Sequence, residues 1–184
     1  MPNLRVPVEV LREIDERARA HGVRMLVIGA AARDLVVHAP TAARSRRATL
    51  DVDVAIAVDR PGFEAFTHGL DRVRGSEHKF LVLGTDVDVV PYGDIETDRT
   101  VLLNDGHQLD VNGLGEAAQT SIHVLLGGGL RLEVASLPAQ TALKVLAWRD
   151  RHRDNPKDGL GEAHGWIGQP RPARRLRRRL SPRT

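Results

Sequence analysis

Residues 49–58 read TLDVDVAIAV, and from Leu50 onward they alternate: Leu50, Val52, Val54, Ile56 and Val58 take one face, Asp51, Asp53, Ala55 and Ala57 the other. A side-chain period of two predicts a strand, and it puts Asp51 and Asp53 on the same side, roughly 7 Å apart at their Cα atoms. Two like charges so placed repel, which is tolerated where solvent, basic groups or bound cations offset them. Hard divalent cations such as Mg²⁺ are held through one or two carboxylates plus substrate phosphates. The plainer alternative for Asp-x-Asp is the solvent face of an edge strand, so the flanking sequence has to decide.

Upstream, RMLVIGAAARDL (24–35) reads as a strand over Arg24–Ile28, a turn at Gly29 and a helix over Ala30–His38. Backbone N–H groups at such a helix start form an anion site suited to a triphosphate. Downstream, FLVLGTDVDVVP (80–91) reads as two strands or a hairpin broken at Gly84. Asp86 and Asp88 share a face there, and either is placed to join Asp51 and Asp53 from a neighbouring strand as the third carboxylate of a phosphoryl-transfer site. Basic residues surround these segments: Arg33 in the helix, Arg44, Arg46 and Arg47 before the pair, Lys144 in a later helix. Arg and Lys clamp phosphate oxygens, although each one singly reads as well as a solvated surface residue.

Working outward, residues 7–21 carry Val10, Leu11, Ile14 and Ala18 at helical spacing, with Pro7 suited to the first turn and Gly22 to the stop. Ala39–Ala48 lacks periodicity and reads as a loop. Pro61–Val73 reads as a helix with Phe63, Phe66 and Leu70 inward. Residues 92–120 are hard to read apart from a short strand at Gln108–Val111. Ile122–Leu126 and Leu130–Val134 flank GGG as a hairpin, and Ser136 caps a helix running from Pro138 to about Arg151.

The chain has 184 residues, 41% of them hydrophobic and 3% aromatic, enough for one domain with a Val/Leu/Ala/Ile core. With no Cys it has no disulfide, thiol nucleophile or Cys-bearing zinc site, which points to a reducing, cytoplasmic setting. The eight His show no metal-ligand spacing. No signal peptide or membrane-length apolar run is present, so no membrane association is expected. The net charge of +3 conceals an asymmetry, because residues 171–184 hold seven Arg and no acid, leaving −4 for residues 1–170. The basic end reads either as an unordered tail or as a nonspecific phosphate contact, without aromatics for base stacking. The expected organisation is a core over 1–135, a C-terminal helix of the same unit over 136–158, and a Gly/Pro/Arg-rich tail over 159–184.

Taken jointly, Val27-Ile28-Gly29-Ala30, Thr49-Leu50-Asp51-Val52-Asp53-Val54 and Val87-Asp88-Val89-Val90-Pro91 resemble the nucleotidyltransferase superfamily related to DNA polymerase beta. With VASLPAQTALKVLAWRDRHRDNPKD (134–158) added, the likeness is greatest to the bacterial AbiEii-type, MenT-like nucleotidyltransferases, over about residues 8–158. This resemblance implies an α/β (α+β) fold with a mixed twisted sheet flanked by helices and a short C-terminal helical element. It implies Mg²⁺ or Mn²⁺ at Asp51, Asp53 and Asp88, the latter completing the metal site and helping to activate an attacking hydroxyl. Nucleotide contacts are implied at Gly29, Ala30, Arg33, Arg47, Thr49 and Lys144, with Lys157 and Asp158 as further candidates.

The implied substrate is an NTP, and toxin members of the branch act on tRNA 3′ ends and have a cognate antitoxin. Two departures stand out. Ala30 replaces the Ser or Gly found after the first Gly in many members, and Lys157-Asp158 runs into GLGEAHGWIG and the Arg-rich end instead of a further Asp and apolar helix. Together they motivate an alternative, a non-catalytic NTP- or nucleic-acid-binding module on a degenerate nucleotidyltransferase fold. Ala32–Leu35, ARDL, is also similar to the CCA-adding and poly(A) polymerase branch, whose extra helical domains this chain has no room for.

Overall fold

The structure, a computed structural model, describes residues 6–38 and 51–151. Helix α1, Val8–Ala20, buries Val10, Leu11, Ile14 and Ala18, the residues whose spacing predicts it. Strand β1, Arg24–Ile28, leads into a short helix α2, Gly29–Arg33, whose winding loosens into a π-helical turn over Asp34–His38. Strand β2, Asp51–Ala57, is the alternating segment.

Helix α3 spans only Arg60–Thr67. It starts where the Asp59 carboxylate accepts the Gly62 N–H at 2.7 Å, an N-cap. The sequence expectation of a helix continuing to Val73 is corrected: the backbone leaves helical dihedrals at His68 (φ −57°, ψ 127°), and Asp71–Arg72 form strand β3. Phe63 and Phe66 are buried as expected, whereas Leu70, beyond the helix end, is half-buried.

Strands β4, Lys79–Val82, and β5, Thr85–Tyr92, form a hairpin closed by Leu83 and Gly84, both at positive φ (50° and 76°). That is the primed two-residue turn whose twist matches a hairpin. In the stretch that lacked a periodic signal, β6 (Thr100–Leu102) pairs with β7 (Gln108–Asp110), and α4 spans Leu114–Gln119. Strands β8, Ile122–Leu125, and β9, Arg131–Val134, pair across the three glycines as predicted. Helix α5, Leu137–Arg151, follows, with the Ala139 N–H directed at Ser136 Oγ.

Among the described residues the main sheet has the order β3-β4-β5-β2-β1-β9-β8, with β6-β7 as a separate pair. It is mixed: β2 runs parallel to β5 and antiparallel to β1, and β1 runs parallel to β9. Strand β2 is therefore central, and Val52, Val54, Ala55 and Ile56 are all buried, so both of its faces are covered at mid-strand. The Arg24 guanidinium donates to the Ala118 carbonyl of α4 at 2.7 Å and pairs with Glu133 of β9 at 2.7 Å, tying β1 to both.

The chain divides after Ala147 into two units, Met1–Ala147 and Trp148–Thr184; all strands belong to the first, and of the second only the last turn of α5 is described. Among the described residues no helix is long and apolar enough to cross a membrane.

Candidate active site

The site follows from register. β2 lies parallel to β5 with Asp51 opposite Asp86 and Asp53 opposite Asp88, and β4 lies antiparallel to β5 with Lys79 opposite Asp88 and Leu81 opposite Asp86. Residues opposite one another across a ladder share a face. Two rows therefore run across three strands on the same face of the sheet, Leu81–Asp86–Asp51 and Lys79–Asp88–Asp53. Asp51 and Asp86 are exposed at the strand beginnings, and Asp53 and Asp88 are half-buried one step further in.

Register also separates the two candidates for a third carboxylate. Asp88 is the first charge acting on Asp53, Asp51 the next, and Asp86 sits in the outer row. Burial, reinforced by the charges of Asp88 and Asp51, pushes the Asp53 carboxyl up to about 6; the Lys79 ammonium and a hydrogen bond from the Ala30 N–H pull the other way.

Gly29 meets this carboxylate from β1's end of the ladder, since Ile28 is the register partner of Asp53. Its φ is +63°, and a Cβ at that position would run into Asp53 Oδ2 and lie 2.9 Å from Asp53 Cγ. Only glycine accommodates both the backbone conformation and the approach of the acid. The Ala30 N–H, the backbone donor expected to meet phosphate, is hydrogen-bonded to Asp53.

Lys79 was not singled out by the sequence reasoning. Its Nζ lies 2.6 Å from Asp88 Oδ2, with the Lys side chain 46% and the Asp side chain 22% exposed. The signal for it is present in the chain: a two-residue turn at Leu83-Gly84 sets Val82 opposite Thr85, and counting outward sets Lys79 opposite Asp88. Beside Lys79, burial holds the His78 imidazole below its ordinary value, with Asp88 opposing the shift.

The other candidates are placed as follows. The Arg33 guanidinium is turned onto the buried Asp34 carboxylate, with Nη2 and Nε at 2.9 and 3.1 Å from Oδ1. Lys144 is exposed on α5 and has no ion pair among the described residues. Arg47, Thr49, Lys157 and Asp158 lie outside the described residues, as do Arg44 and Arg46.

The same arrangement of chain is found in known proteins. It superimposes on TM1012 from Thermotoga maritima, assigned as a nucleotidyltransferase, with a TM-score of 0.50 and 20% identity over 84% of this chain and 92% of that one. It also superimposes on the antibiotic-resistance factor ANT(2'')-Ia, with a TM-score of 0.51 and 15% identity over 85% of this chain and 80% of that one. The fold is a nucleotidyltransferase fold. No protein-family model and no curated protein matches the chain.

The donor chemistry at this end of the sheet suits a divalent metal. Asp51, Asp53 and Asp88 offer hard oxygen ligands, and their mutual repulsion, felt at Asp53, is the kind of charge a divalent cation offsets. Among the described residues, however, no three Asp, Glu or His side chains converge into a ready-made ion site. Asp88 reaches toward Lys79 instead. The donors fit the ion, provided that Asp88 exchanges its partner.

Proposed function

We propose that this protein is a nucleotidyltransferase of the AbiEii-type branch, moving an NMP from an NTP to an acceptor hydroxyl. The branch rests on the resemblance in sequence; the observation that carries nucleotidyl transfer is the register of Asp53 against Asp88 on two central strands, with Gly29 pressed against the Asp53 carboxylate. An edge-strand acid facing solvent needs neither a central position nor a glycine held at positive φ against it.

In the reaction, the acceptor oxygen bonds to the α-phosphorus, the bond from that phosphorus to the α,β-bridging oxygen breaks, and pyrophosphate leaves. Such transfer needs little covalent chemistry from the protein and depends on positioning and charge stabilisation. Mg²⁺ or Mn²⁺ held through Asp51, Asp53 and Asp88 would neutralise phosphate charge and acidify the attacking hydroxyl. Asp88 helps to take the hydroxyl proton. The Ala30 N–H orients the Asp53 carboxylate, and Gly29 leaves the space that the carboxylate occupies. Arg33, Arg47, Thr49 and Lys144, together with the Gly29 backbone, are proposed to contact the nucleotide, the Ala30 N–H being engaged by Asp53; Lys157 and Asp158 are further candidates.

For the acceptor, the resemblance favours the tRNA 3′ end, which carries a free hydroxyl, with a toxin role and a cognate antitoxin as corollaries. A hydroxyl on a protein or a small molecule is the competing class. Incubating the purified protein with Mg²⁺, total tRNA and each α-labelled NTP, with Asp51→Ala as control, tests the reading. Label reaching RNA with wild type alone supports it. Pyrophosphate release only with a small-molecule or protein acceptor moves the acceptor class, and NTP binding without release under any condition favours the non-catalytic module. Replacing Lys144 by Ala should weaken NTP use by on the order of 2 kcal/mol, the worth of one charge-assisted contact. An unchanged dependence on NTP concentration removes Lys144 from the site.

A further inference from the structure

We infer that Lys79 is an internal counter-cation for Asp88, holding that carboxylate when no divalent ion is bound and giving it up when one enters. The inference rests on the metal-site reading above and adds a positioning residue to it.

Three observations carry it. Lys79 Nζ lies 2.6 Å from Asp88 Oδ2, a short charge-assisted contact. Register makes it structural: Lys79, Asp88 and Asp53 stand in one row across β4, β5 and β2, so the ammonium belongs to the same face as the acids. Among the described residues, Lys79 is also a basic side chain that acts on Asp53, which places its charge where the repulsion among Asp51, Asp53 and Asp88 is felt.

The consequence is competition. A carboxylate engaged with an ammonium presents fewer free lone pairs to a metal, and a cation already in place reduces the potential that attracts a second. The side chain is long and 46% exposed, so its ammonium can swing away without disturbing the core. Once Asp88 turns to a divalent ion, the released ammonium is free to meet another anion, and the phosphates of an incoming nucleotide are the chemistry that suits it. Lys79 thus links the arrival of metal to that of nucleotide, with no bond made or broken in the protein.

The test is Mn²⁺ binding without nucleotide, followed by the paramagnetic signal of free ion, in wild type, Lys79→Met, Lys79→Arg and Asp53→Asn, with melting temperatures in EDTA measured alongside. Removing the competing cation should tighten Mn²⁺ binding by about fivefold in Lys79→Met while lowering its melting temperature in EDTA. Lys79→Arg, which keeps the charge, should bind Mn²⁺ as wild type does. Asp53→Asn should lose the ion. Equal Mn²⁺ affinity in wild type and Lys79→Met, or weaker binding in the variant, overturns the exchange and leaves the metal-site reading standing. No Mn²⁺ binding by either protein, or binding that survives Asp53→Asn, overturns both.

Discussion

The carboxylate of Asp53 occupies the space where a side chain on Gly29 would have to go, and the backbone of Gly29 is held at φ +63° beside it. A glycine at the start of α2 and an acid on β2 are thus a single steric unit, although 23 residues of chain lie between them.

Gly29→Ala should therefore be costly twice over, through the strained φ and the collision with Asp53. A loss of roughly 2 kcal/mol or more in unfolding free energy is expected, together with loss of transfer activity as the acid is displaced. Urea denaturation of Gly29→Ala beside Gly22→Ala separates the causes. Gly22 has a similar φ of +65° but nothing within 4 Å of the added Cβ, so a loss no larger at Gly29 than at Gly22 would dismiss the steric unit.

Asp53 gives a pH dependence whose sign is unusual for a carboxylate. Burial and the charges of Asp88 and Asp51 raise its pKa from 3.8 to about 6 in the folded protein, so the folded state holds the proton more tightly than the unfolded chain does. Stability is unaffected while both states are protonated, and is lost as pH rises from the unfolded value through about 6. Asp53→Asn, which never ionises, should be more stable than wild type by on the order of 2 kcal/mol near pH 8 in EDTA, with the difference vanishing below about pH 4. Parallel stability curves for the two proteins across that range would contradict the shift.

Glu133 shows the opposite sign. Its burial disfavours ionisation, but hydrogen bonds from Arg24 and from Ser121 Oγ at 3.0 Å outweigh it and hold the acid below its ordinary value of 4.5. Its contribution is present above that value and is lost as pH falls through the lower, folded one. Glu133→Gln should cost about 1 kcal/mol at pH 7, a figure kept small because the pair is partly exposed, and the cost should shrink on acidification. Thermal melts at pH 7 and in mild acid check both the size and the trend.

Asp59→Ala removes the cap on α3, where the carboxylate accepts the Gly62 N–H at 2.7 Å. A loss of about 1 kcal/mol is expected with nucleotide transfer unchanged, since α3 contributes no residue to the site. Reduced transfer at equal folded fraction would show that α3 reaches the chemistry after all.

The sequence by itself determined the segments in which local pattern and burial agree. The period of two in Leu50–Val58 and the 3.6-residue spacing in α1 mark which side chains go inside, and the alternation alone sets Asp51 and Asp53 on one face. The joint order of Gly29, the Asp pair and Asp88 was enough to point to the nucleotidyltransferase fold. Helix α4 and strand β6 escaped notice because, at six and three residues, they are too short for a period to register, and the extent of α3 was decided by a backbone turn at His68. Tertiary structure alone decided what pairing across strands controls: that β2 is central rather than an edge, that Asp88 and not Asp86 stands beside Asp53, that the Ala30 N–H serves Asp53, and that the Lys79–Asp88 pair of the β4–β5 hairpin is carried into one row with Asp53. A strand's own pattern says which face a residue takes, whereas its neighbour across the ladder depends on register, and register is a property of two strands and the turn or crossover that joins them.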